Sequence, residues 1–148
     1  MLRPLVRLVL AGLAGVLLHA AAAADERLVL IAGAGSPVAT LSSSDVHKLF
    51  LGLTVAVDDH RLRPVRNDSD ELMRRVFFQS VVSMTESLYD RRMLALTLQQ
   101  GRAGMPVLGS TAAVVQALVD DPSAVSFAWA ADVEHDPRIK VLRVLWHR

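Results

Sequence analysis

The sequence predicts an α/β domain, a short central sheet flanked by helices. Three observations carry that reading. Arg27 to Ala32 is a continuous apolar run, as expected of a strand covered on both faces. Val125, Phe127 and Trp129 alternate with Ser126 and Ala128, the period-2 signature of a second strand. Between these strands the apolar residues recur at helical spacing, so strands and helices interleave.

The elements follow in order. Gly33-Ala34-Gly35-Ser36-Pro37 ends the first strand. Its Gly-x-Gly lacks the third glycine of a dinucleotide loop, and Pro37 interrupts the helix start such a loop requires. Ser42 to Leu51 reads as the first helix. Ser42 and Asp45 form a capping-box-like start, Val46, Leu49 and Phe50 one apolar face, and Gly52 a left-handed stop. Leu53 to Arg61 reads as a loop and Leu62 to Val65 as a short strand. A second helix is expected over Asp70 to Val82, with Asp68 and Glu71 at capping-box spacing and Asp68 as the N-cap. Ser83-Met84-Thr85-Glu86 opens a third helix ending near Gln100, with Tyr89, Met93 and Leu96 on one stripe. Gly101 to Gly104 is a loop, and Thr111 to Asp120 a fourth helix stopped by Pro122. Asp136-Pro137 marks a turn before a last strand, Ile139 to Leu145.

Composition narrows the function classes. Residues 1–24 read as a secretory signal peptide: Arg3 and Arg7, an apolar core from Leu8 to Leu18, and the small residues Ala22-Ala23-Ala24 before the cleavage site. Cleavage there leaves residues 25–148 as one domain, and the formal charge falls from +1 to −1. That balance argues against a nucleic-acid binder. No second apolar span follows, so the expected product is soluble in the periplasm, without membrane insertion after cleavage. With no cysteine, a thiol nucleophile, a disulfide and a lipidated N-terminus are all excluded.

Local clusters give no catalytic residue. No Gly-x-Ser-x-Gly elbow appears. Asp58-Asp59-His60 is the one local metal-like cluster, and three adjacent loop residues make a poor ligand set, so no metal or cofactor is expected. Ser42, Ser43 and Ser44 gather hydroxyls at a helix start, where small oxyanions bind, although capping and solvent also account for them. Arg66 has two fates open to it: pairing with Asp68 or Asp70, or reaching outward to an anion with its planar fork.

Four stretches resemble a known family. Arg66-Asn67-Asp68-Ser69-Asp70-Glu71-Leu72 resembles the Arg-x-Asp-x-Ser-Gly-Thr loop of the periplasmic phosphate-binding proteins of ABC transporters. Thr40 to Gly52 is similar to their Leu-x-x-x-x-Leu-x-x-Ile-Phe-x-Gly segment, and Gly101 to Pro106 to a Gly-Arg-Gly-x-Pro-Pro stretch. Asp121 to Phe127 parallels a Pro-Gly-Ala-Ile-Gly-Tyr turn and strand, with serine for both glycines. The resemblance runs from about Leu28 to Val144 and implies a fold like one lobe of a class II periplasmic binding protein. It further implies a non-enzymatic solute-binding role, with Ser36, Ser42, Arg66 and Ser69 as candidate ligand residues. The implied partners are a small anionic solute and an envelope transport or signalling protein. Asp70, Glu71 and Leu72 stand where Ser, Gly and Thr hold phosphate, so the phosphate loop is expected to be degenerate. The alternative is a periplasmic protein-interaction module that has lost ligand binding.

Overall fold

The computed structural model describes residues 26–148. The expected signal peptide, residues 1–24, lies outside them. Four strands form the main sheet in the order β4-β7-β1-β8. The central strand β1 (Arg27–Gly33) runs antiparallel to both β7 (Ala124–Trp129) and β8 (Ile139–His147). The short edge strand β4 (Arg63–Pro64) pairs parallel with β7.

Alternation along β1 places one set of side chains on each face, and helices cover both. Leu28, Leu30 and Ala32 pack with Phe50, Phe77 and Phe127 on the first face. Val29 and Ile31 pack with Val114, Leu118 and Ala128 on the second. This two-sided cover explains the unbroken apolar run, although both neighbours of β1 are antiparallel. The first face is built by α1 (Ser43–Phe50), α2 (Glu71–Val76) and α3 (Glu86–Gln100). The second is covered by α4 (Thr111–Asp120) and the short α5 (Ala130–Val133). Phe77 anchors the first face, stacked on Phe127 at 4.9 Å and edge-on to Phe50 and Tyr89.

Three expectations are revised. Leu53 to Arg61 is no plain loop: β2 (Ala56–Val57) and β3 (His60–Arg61) form a hairpin with Asp58 and Asp59 between them. Both aspartates take positive φ, 49° and 63°, the conformation a two-residue hairpin turn demands. The expected strand Leu62 to Val65 is shortened to β4, and the chain leaves β7 after Val65 to continue as β5 (Arg66–Asn67), parallel to β6 (Val107–Leu108). The expected helix Asp70 to Val82 is α-helical only to Val76 and continues as a π-helix, Phe77–Val81. The wider turn lets the adjacent Phe77 and Phe78 both be buried, which a strict 3.6-residue period disfavours. Among the described residues no helix is long and apolar enough to cross a membrane.

Gly33, at the end of β1, tests the packing between sheet and α4. A Cβ there would stand 2.4 Å from the Leu118 carbonyl oxygen, a backbone atom that cannot swing away. A Cβ at Gly35 would meet nothing within 4 Å. Gly33→Ala is expected to lower unfolding free energy by about 1–3 kcal/mol, as overpacking does, while Gly35→Ala stays near neutral. Urea midpoints check both, and equal midpoints would contradict the tight approach of α4.

Candidate functional site

The entry to α2 is built where the chain changes sheets. Val65 still donates its N–H to Val125, and its carbonyl accepts the Ser126 hydroxyl at 2.6 Å. Arg66 and Asp68 instead donate their N–H groups to Pro106 and Leu108. Asn67, between them, has no solvent exposure. Its amide nitrogen donates to the Phe127 carbonyl at 2.9 Å and the Thr111 hydroxyl at 3.3 Å, while its amide oxygen accepts the Ser69 N–H at 3.1 Å. Ser69 Oγ lies 3.2 Å from Thr111 Oγ1, so the first residue of α4 and the loop before α2 share one polar cluster.

The N-cap of α2 is Asp70, not the expected Asp68. Asp70 has extended backbone and its Oδ1 accepts the Met73 N–H at 2.8 Å. Its other oxygen accepts the indole N–H of Trp129. The Asn67 side chain holds the Ser69 N–H in a turn, and the helix starts at Glu71, two residues later than a cap at Asp68 would place it. Asp68 is turned to the arginines instead, 3.7 Å from Arg66 Nη2 and 4.0 Å from Arg74 Nε. Glu71 is 86% exposed and pairs with Arg75 one helical turn away.

Arg66 takes the first of its two open fates, and does so in the interior. Its side chain is only 10% exposed, ion-paired to Asp68 on one side and to Asp90 at 3.8 Å on the other. The guanidinium also lies over the rings of Phe78 and Tyr89, at 5.5 and 5.9 Å. Arg66 Nε and Asp68 Oδ1 are buried without a hydrogen-bond partner. An open groove of about 1000 Å³ runs past this cluster, lined by Asp68, Asp70, Arg74, Phe78 and Glu86 among others. The Glu86 carboxylate bonds the Arg74 guanidinium and raises its pKa further.

The four candidate ligand residues divide into two pairs. Arg66 and Ser69 lie together at the α2 entry. Ser36 and Ser42 are bonded along the β8 side of the sheet. Ser36 Oγ accepts the Val38 N–H and its carbonyl accepts Lys140 Nζ at 2.6 Å. Ser42 Oγ caps α1 through Asp45 N–H at 3.0 Å, beside Leu41, whose carbonyl accepts Arg143. Asp58 and Asp59 form the hairpin turn, and among the described residues no group of acids and histidines is arranged around a metal. Asn67, Thr111 and Trp129 belong to the cluster without having been singled out in the sequence. The one available signal was Asn67 itself, an amide two residues past the expected strand.

Two measurements follow from this geometry. Asp70→Ala is expected to cost about 0.5–2 kcal/mol through the lost cap and to red-shift Trp129 fluorescence, while Asp70→Asn is milder. Unchanged denaturant midpoints and spectra for Asp70→Ala would remove Asp70 as the cap. Tyr89, the one tyrosine of the chain, donates its hydroxyl to the Phe50 carbonyl at 2.6 Å. Burial pushes its pKa up to about 12, Asp90 adds to the rise and Arg66 opposes it. Below the unfolded value of about 10 both states keep the proton and stability is intact. Between about 10 and 12 the unfolded chain ionises first, so stability falls by roughly 2–3 kcal/mol in all. Tyrosinate absorbance of the folded protein should therefore appear only near pH 12, and ionisation near pH 10 in the folded protein would contradict this burial.

Solved structures with the same architecture are found among phosphate receptors. The domain is similar to an ABC-type phosphate transport receptor from Vibrio cholerae (TM-score 0.58, 16% identity, 80% of this chain and 46% of that one). It is also similar to a putative phosphate ABC transporter substrate-binding protein with bound phosphate from Clostridium perfringens (TM-score 0.60, 13% identity, 80% and 45%). PstS from Borrelia burgdorferi matches comparably (TM-score 0.58, 13% identity, 80% and 47%). No protein-family model and no curated protein sequence matches the chain. The described domain therefore has the fold of the phosphate ABC transporter substrate-binding proteins, and spans less than half the length of those chains.

Proposed function

We propose that this chain is an exported, non-enzymatic solute-binding-like domain of the periplasm whose phosphate loop is degenerate. One observation carries the reading. The Asp70 carboxylate accepts both the Met73 N–H of the first helical turn and the Trp129 indole N–H. An anionic side chain of the protein itself thus holds donors that a bound oxyanion would need. Ser69 is engaged with Thr111 and Met73, and Arg66 with two carboxylates, so neither is a ready ligand group. The likeness to phosphate receptors supports descent from a solute binder rather than from an enzyme.

A second reading is supported by α3. Leu94 and Leu98 stand one turn apart, 59% and 75% exposed, an apolar surface suited to an envelope protein partner. A rise in melting temperature with small solutes would favour binding, because a ligand stabilises the folded state by mass action. Stable association with a transport or signalling component, without any solute response, would favour the interaction module.

Inorganic phosphate is expected to bind weakly. A dianion about 5 Å from one carboxylate is repelled by roughly 2–7 kcal/mol at dielectrics between water and a protein surface. Calorimetry at neutral pH is expected to show no tight binding by the parent, and stronger binding by Asp70→Ser, which keeps a cap and removes the charge. Micromolar affinity in the parent would overturn the proposal.

A further inference from the structure

A second groove lies away from the α2 entry, between the C-terminal half of α3, β4 and the loop at residues 101–106. At about 690 Å³ it is within the ~300–1,000 Å³ range of small-molecule sites. Its walls are apolar and adaptable: Leu62, Met93, Leu96 and Met105 line it, and unbranched thioethers reshape around an apolar guest. Its rim is cationic. Arg61, Arg63 and Arg102 line it against a single acid, Asp121. Asp121 is paired with Arg63 at 3.7 Å. Arg102 bonds only the neutral Gln100 amide, and Arg61 has no ion pair among the described residues. Two guanidinium charges at the rim therefore lack a carboxylate. The groove at the α2 entry differs, since its arginines are matched by Asp68, Glu71 and Glu86.

We propose that this second groove binds a monoanionic amphiphile, an organic acid of medium chain length. Its apolar body lies against Met93, Leu96 and Met105, and its carboxylate meets the arginine rim, whose planar forks match carboxylate geometry. The class follows from the two halves of the site together. A bare inorganic anion would leave the methionine wall unused, and an alkyl ammonium ion would be repelled by the rim.

Octanoate, octylamine and inorganic sulfate separate these cases when the protein carries 13C-methyl methionine. Octanoate is expected to shift the Met93 and Met105 methyl resonances saturably and leave Met84, which lines the other groove, unmoved. Octylamine should act far more weakly and sulfate not at all. The surface variant Arg61→Ser/Arg102→Ser, checked for an unchanged melting temperature, should bind octanoate at least about threefold more weakly. Failure of octanoate to shift these methyls, equal shifts with octylamine or sulfate, movement of Met84 instead, or unchanged affinity in the double variant would each overturn the assignment. Phosphate binding at the α2 entry bears on none of these outcomes, so this site stands or falls separately from the proposed function.

Discussion

Asn67 is sealed from water, so every hydrogen bond its amide needs must come from the protein. It finds them on three separate pieces of chain: the Phe127 carbonyl within β7, the Thr111 hydroxyl at the start of α4, and the Ser69 N–H before α2. Losing the amide would leave those groups unpaired in the interior, at about 1–3 kcal/mol for each that water cannot reach. The path from β5 into α2 is thereby tied to β7 and to α4 together. Once that path is set, Asp70 falls within reach of both Met73 and Trp129, and Asp68 is turned toward the arginines.

The same geometry explains the electrostatics. A guanidinium as buried as that of Arg66 is tolerable only with counter-charges and polarisable neighbours close by. Asp68 and Asp90 supply the charges, and the faces of Phe78 and Tyr89 supply the rest of the shell. These contacts make Arg66 part of the interior, with Tyr89 held protonated beside it. Arg66 and Asp68 answer one another here, with Asp90 as the second counter-charge.

Much of the architecture was legible in the residues. The run Arg27 to Ala32, the cap Ser42, and the stop at Gly52 each report a local preference that packing reinforces. The misread elements are those where a distant partner decides. Asp68 and Glu71 carry the capping-box spacing, yet the Asn67 turn and the Trp129 indole, fixed by β7, select Asp70. The π-helix depends on two adjacent phenylalanines both finding room in the core. Leu62 to Val65 carries no sign that the chain will exchange β7 for β6 at Arg66. At the α2 entry, Arg66 and Ser69 are residues the resemblance points to, whereas Asn67 and Trp129 matter through bonds to residues about sixty positions away.

The placement of β1 bears on the order in which the domain is made. Its two neighbours, β7 and β8, come from the far end of the chain, and Leu30 pairs with Phe127 and Arg143 about a hundred positions later. Among the described strands the central one is therefore synthesised first, and it is enclosed last. Until β7 and β8 emerge, a nearly wholly apolar strand has both edges open, the condition in which intermolecular pairing competes with folding. Such high sequence separation slows assembly. A chain truncated before β8 would leave one whole edge of its central strand unpaired, so β8 shields β1 from such pairing.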